Sequence, residues 1–266
     1  MSGPELRYTG DVSTGASAPV FRLIRLAVVT LALATPALPS RAADAVDLLL
    51  VLAADVSRSV DGPKYQLQRE GYATAMADPR VLNAIKSGLN GRIAVSFVEW
   101  SGVGSQQVVV DWMLIDGPQS ARTFGDRLLE SRRSFADRTS ISAAIDFSTA
   151  QFARAAFESK RRTIDVSGDG TNNSGRDVAR ARDDAVALGI TINGLVILSE
   201  RPLPWNPEHT NPPGGLANYY RDNVIGGPGA FVMEAKNFNS FGQAIIGKLI
   251  AEIAQLRAAE GAPDLN

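Results

Sequence analysis

The run Ala54-Asp55-Val56-Ser57-Arg58-Ser59-Val60-Asp61 puts one carboxylate and two hydroxyls at alternate positions directly after the apolar stretch Val46 to Leu52. A hard divalent cation collects oxygen donors of this kind, part acidic and part neutral. The same residue types also form turns and cap helices, so Asp55, Ser57 and Ser59 alone leave both readings open. An EF-hand does not fit, because Val60 stands where that loop needs glycine and Gln66 where it needs a bidentate glutamate. Phosphoryl transfer on a D-x-D motif does not fit either, since Ser57 occupies the second acidic position.

Two later segments could join this cluster. Arg138-Thr139-Ser140 opens the helix-periodic run Ile141, Ala144, Ile145, Ser148, Phe152, which places Thr139 at a loop-to-helix junction. Ile164-Asp165-Val166-Ser167-Gly168-Asp169-Gly170 reads as a strand ending in a glycine-flanked aspartate, the same kind of position as Asp55. The bland alternative gives each residue a separate local role, in which Ser59 or Asp61 caps one helix, Thr139 or Ser140 caps another, and Asp169 makes a turn.

Together the three segments resemble the metal-ion-dependent adhesion site of von Willebrand factor type A domains, in which D-x-S-x-S, a distant threonine and a later aspartate hold one cation. The resemblance implies a ligand set of Asp55, Ser57, Ser59, Thr139 and Asp169 around Mg²⁺ or Mn²⁺. Ca²⁺ is admitted but less suited, because it usually collects about six to eight oxygens. In that family a carboxylate from a partner protein completes the shell, so the partner expected here is a protein presenting an acidic residue. The resemblance spans about Val46 to Leu256, and within the family the likeness is to exported bacterial single-domain members of uncharacterised role. Two departures stand out: Gly168 precedes Asp169 where Thr-Asp-Gly is usual, and Asp165 puts an acid inside an expected buried strand.

The elements that must position these residues alternate strand and helix, the pattern of a doubly wound α/β domain with a mostly parallel sheet and helices on both faces. Strands are expected at Leu48 to Ala54, Ile93 to Trp100, Gln107 to Leu114, Thr163 to Ser167, Ile190 to Leu198 and Ala230 to Glu234. The short Ser101 to Ser105 link makes the Gln107 strand an antiparallel edge. Helices are expected from Asp61-Gly62-Pro63 to Ala77, then over 120–132, 140–157, 177–188, 217–224 and 238–256. Lys160-Arg161-Arg162 reads as a solvated helix end. Five prolines make 199–216 a long loop, with His209 exposed on it. In such a sheet ligands bind beyond the carboxyl ends of the strands where the strand order reverses, so Asp55 and Asp169 meet if their strands are neighbours.

Residues 20–42 have the layout of a secretory signal peptide, with Arg22 and Arg25, the apolar run Leu26 to Leu38, and small residues suiting cleavage after Ala42. That run is too short for a membrane anchor, which needs ~20 apolar residues. Residues 1–19 are polar and lie upstream of the basic segment, as an extension before a true translation start near Val20 would. The domain is then 43–257, with a frayed tail at 258–266, and the protein is exported, periplasmic or secreted, from a bacterium. Removing 1–42 takes away four basic and two acidic residues and shifts the net charge from −1 to −3, which leaves no basic footprint for nucleic acid or an anionic membrane. There is no cysteine and one histidine, which excludes thiol chemistry and multi-histidine metal centres. No G-x-S-x-G turn accompanies a serine triad.

The expected function is therefore a non-enzymatic, cation-dependent binding domain, with Glu99, Trp100 and Trp205 placed on the metal-bearing rim where they could touch a partner. Two alternatives remain: metal-assisted hydrolysis with Glu99 or Asp61 as base, and a metal-free scaffold binding through its loops.

Overall fold

The computed structural model describes residues 44–133, 136–199 and 202–254. The expected extension at 1–19, the signal peptide at 20–42 and the tail at 258–266 lie outside these residues. In chain order the elements are β1 (Asp44–Ala45), β2 (Leu49–Asp55), α1 (Gly62–Met76), α2 (Pro79–Lys86), β3 (Ile93–Trp100), β4 (Gln106–Ile115), α3 (Pro118–Glu130) and α4 (Ile141–Gln151). There follow β5 (Phe157–Glu158), β6 (Arg162–Gly168), α5 (Val178–Ala187), β7 (Thr191–Ile197), α6 (Pro207–Thr210), α7 (Leu216–Asn223), β8 (Val232–Ala235) and α8 (Phe241–Ala254).

Six strands form one sheet in the order β4-β3-β2-β6-β7-β8, parallel throughout except for the antiparallel edge pair β3–β4. β2 is buried along its whole length, as a central strand covered on both faces must be. Its alternation splits the core: Leu50, Leu52 and Ala54 face α1, α2, α3 and α8, while Leu49, Val51 and Ala53 face α4, α5 and α7. The doubly wound fold is thus as expected. From β2 the chain first adds β3 and β4 on one side and then crosses to β6 on the other. The order reverses between β2 and β6, which pair from Leu49 with Arg162 to Ala54 with Ser167.

Several local expectations need correction. The helix expected over 140–157 stops at Gln151, because the chain turns through a 3₁₀ segment at Phe152–Arg154 and straightens at β5 to pair with β1. Lys160 to Arg162 therefore follow a strand. Arg161 donates to the Glu252 carbonyl (2.6 Å) near the end of α8, and Arg162 to the Leu188 carbonyl just past α5, so basic groups do meet helix C-termini, but those of other helices. The unexpected α2 has Asp78 as its N-cap and Pro79 in its first turn, and it buries Val81 and Ile85, four positions apart on one face. The 199–216 loop also contains the four-residue α6.

Candidate metal centre

Asp55 ends β2, Asp169 follows β6 directly, and Thr139 precedes the α4 N-cap, so three elements deliver their polar residues to the switch point. Backbone bonds tie the loops together. Val56 N–H donates to the Trp100 carbonyl (2.9 Å), Arg58 N–H to the Asp137 carbonyl (2.9 Å), and Asn173 N–H to the Thr139 carbonyl (2.9 Å). Asn173 returns its side-chain oxygen to Thr139 N–H at 3.0 Å.

Within this frame Asp55 Oδ1 accepts from Ser57 N–H at 2.6 Å, the Ser57 and Ser59 hydroxyls lie 3.1 Å apart, and Ser59 Oγ donates to Asp169 Oδ1 at 2.5 Å. All five residues of the expected set are buried. Helix capping is done by their neighbours: Asp61 accepts from Lys64 N–H at the start of α1, and Ser140 from Ala143 N–H at the start of α4. The Ser59 and Thr139 side chains are thereby released from the capping role that the bland alternative gave them.

The electrostatics call for positive charge. Burial, reinforced by the Asp169 carboxylate, pushes the Asp55 carboxyl up to about 8, although the Ser57 hydrogen bonds pull it down. Burial also raises Asp169 against the opposing pull of Ser59, Lys64 and His209. Asp55 Oδ2 is buried with no hydrogen-bond partner among the described residues. No group of three or more His, Asp or Glu side chains that could hold a metal occurs among the described residues, so any cation here relies on hydroxyls as well as the two acids. Two facing carboxylates, three hydroxyls and an unpartnered buried oxygen fit a hard divalent cation.

Four contributors were not foreseen. His209 is buried, not exposed on its loop as expected, and its Nε2 lies 3.2 Å from Thr139 Oγ1. Its carbonyl accepts from Thr171 N–H at 2.9 Å, which pins the proline-rich loop to the centre. Burial lowers the His209 pKa, which favours the neutral ring that can accept from the threonine hydroxyl. Lys64 Nζ lies 3.9 Å from Asp169 Oδ2 and donates to the Ser59 carbonyl at 2.7 Å. Asn173 fixes Thr139 as described. Tyr220 buries its hydroxyl close by, its pKa raised first by burial and then by Asp55 and Asp169.

Tyr220 accounts for the departure at Gly168, and His209 for the absence of a side chain at Gly170. A Cβ on Gly168 would sit 2.6 Å from the Tyr220 hydroxyl and 3.2 Å from Asp55 Oδ2, and one on Gly170 would run into the His209 ring. Of these four, only His209 carried a signal in the sequence, as the sole histidine, and its apparent loop context hid it.

The expected rim residues divide. Glu99 and Trp100 are fully buried, which corrects their placement as partner contacts, while Trp205 is 74 % exposed. Glu99 Oε1 accepts from Arg69 Nε (2.9 Å) and Nη2 (2.6 Å), forming an ion pair inside the fold.

Residues 45–257 match the family described as "Protein of unknown function (DUF1194)". The chain belongs to this family. No curated protein matches it. Among solved structures it is similar to proximal thread matrix protein 1 from the mussel byssus, whose zinc-occupied MIDAS form aligns at 14 % identity and TM-score 0.54 over 79 % of this chain and 49 % of that one. It is also similar to a von Willebrand factor type A protein from Catenulispora acidiphila, at 14 % identity and TM-score 0.52 over 78 % of this chain and 43 % of that one. The pilus adhesin SpaC from Lactobacillus rhamnosus GG, in an open conformation, aligns at 14 % identity and TM-score 0.55 over 79 % of this chain and 30 % of that one. The chain spans about half or less of the length of these proteins. These likenesses show that this family member has the von Willebrand factor type A fold.

Proposed function

We propose that this protein is an exported, non-enzymatic binding domain in which Asp55, Ser57, Ser59, Thr139 and Asp169 hold a divalent cation, Mg²⁺ or Mn²⁺ before Ca²⁺, for an acidic group of a partner protein. The observation that carries this reading is the meeting of the buried Asp55 and Asp169 carboxylates with the Ser57 and Ser59 hydroxyls at the switch point, with Asp55 Oδ2 unpartnered and Thr139 lining the same cleft as Ser59. When bound, the cation supplies an electrophilic centre for a carboxylate. The chain does the rest. Three neutral hydroxyls leave much of the cation's charge unneutralised, His209 and Asn173 orient Thr139, and the Ser57 amide holds Asp55 Oδ1. The neighbours' zinc-occupied MIDAS and pilus adhesin role support a cation-dependent interaction as the working hypothesis. Export rests on the layout of residues 20–42, and no described helix is long and apolar enough to cross a membrane.

Lys64 makes the hypothesis quantitative. Its ammonium opposes any cation placed beside Asp169, and about a third of the side chain is exposed, so solvent screens the effect. In calorimetric titration with Mn²⁺ and Mg²⁺, wild type is expected to bind one ion, and Lys64→Met to bind it on the order of tenfold more tightly. No binding by either protein would refute the metal reading. The hydrolytic alternative has lost Glu99, whose carboxylate is engaged by Arg69, and keeps only Asp61 as base.

A further inference from the structure

Beside the candidate centre lies an open cleft of about 450 Å³ whose lining includes Arg58, Ser59, Arg138, Thr139 and Trp205. Arg58 separates the two serines of the expected ligand set and Arg138 immediately precedes Thr139, so each guanidinium is carried by the residue next to a candidate ligand. Both arginines are exposed, and neither forms an ion pair among the described residues. Arg69, Arg80, Arg154, Arg176, Arg182 and Arg221, by contrast, each face a carboxylate. Asp137 also lines the cleft, but its carboxylate is turned against Gly102, where an added Cβ would lie 2.6 Å from Oδ2.

Trp205 presents most of a large aromatic surface at the same cleft. Its loop is held in place. Asn206 N–H donates to the Leu203 carbonyl (3.1 Å), Leu203 N–H to Thr210 Oγ1 (3.3 Å), and His209 anchors the far end against Thr139 and Thr171. A preordered, exposed tryptophan loses little conformational entropy on binding and is a frequent source of interface affinity.

We propose that the partner is a protein segment carrying two neighbouring acidic side chains and an apolar one: the first acid meets the cation, the second is clamped by Arg58 and Arg138, and the apolar side chain packs on Trp205. This rests on the metal reading above and adds the chemistry of the segment received. Guanidinium groups match carboxylates through paired hydrogen bonds, and two of them beside one cation select against a segment with a single acid.

The test is to pan a random dodecapeptide library on the immobilised protein in Mg²⁺ and elute with chelator. Enriched peptides are expected to share two nearby acids and an aromatic or aliphatic residue. For such a peptide, the Arg58→Gln/Arg138→Gln double variant should raise Kd by on the order of 10- to 100-fold and lose the preference for the second acid, with metal-dependent stabilisation retained. Trp205→Ala should lose the apolar preference. Peptides with one acid, or a second-acid preference kept in the arginine variant, would overturn the proposal while leaving the metal reading intact, whereas chelator-eluted peptides with no acid would overturn both it and the acidic-partner reading. Equal capture in chelator would overturn it together with the metal reading.

Discussion

Lys248→Met is expected to lower the free energy of unfolding by about 3–5 kcal/mol, read as a fall in the urea midpoint. Lys248 is fully buried on α8, with Nζ 2.7 Å from Asp165 Oδ1 and in contact with Glu252 Oε1, which also accepts from Asn193 Nδ2 at 2.8 Å. Taking the ammonium away leaves two carboxylates facing each other in the core. Even with the lysine present, burial and then the Glu252 charge push Asp165 up to about 7. A carboxyl raised in the folded state costs stability above that value, and the cost disappears as pH falls towards its unfolded value of about 4. The deficit of the variant should therefore narrow as pH is lowered from about 8 towards 5. A variant within about 1 kcal/mol of wild type at pH 8 would show that the lysine does not neutralise this pair.

Glu99→Ala is expected to cost a similar amount, about 3–5 kcal/mol, because it strands the buried Arg69 guanidinium. Arg69 would keep its bonds to the carbonyls of Leu128, Ser131 and Arg132, which carry no compensating charge. The same substitution on an exposed rim would move stability by about 0.5 kcal/mol or less, so chemical denaturation separates an internal ion pair from a partner contact.

The contrast between Glu99 and Asp55 shows where sequence reading reached its limit. Asp55, Ser57 and Ser59 are closely spaced and follow a run apolar enough to be a central strand, so their place at a strand end was legible without contacts. The pairing of β2 with β6 was the condition on which the meeting of Asp55 and Asp169 rested, and the structure supplies it. Glu99 lies in β3 among apolar neighbours, and nothing local to it announces a guanidinium 30 positions earlier in the chain. Asp165 looked anomalous for the same reason: its answer, Lys248, comes from a helix far along the sequence. His209 depended on how a proline-rich loop folds back, which punctuation residues do not reveal. α2 was legible too, since Asp78-Pro79 marks its start and Val81, Leu82 and Ile85 make one apolar face, although eight residues show only about two turns of it.

The central claim is that a divalent cation binds where Asp55 and Asp169 converge, and thermal unfolding tests it most directly. The protein would be melted in chelator and then with Mg²⁺, Mn²⁺ or Ca²⁺, beside Asp55→Ala. At a hundredfold excess over Kd, wild type should gain about 2.7 kcal/mol, and the variant should melt at the same temperature with or without metal. An unchanged melting temperature in wild type, or an equal gain in Asp55→Ala, would contradict the account.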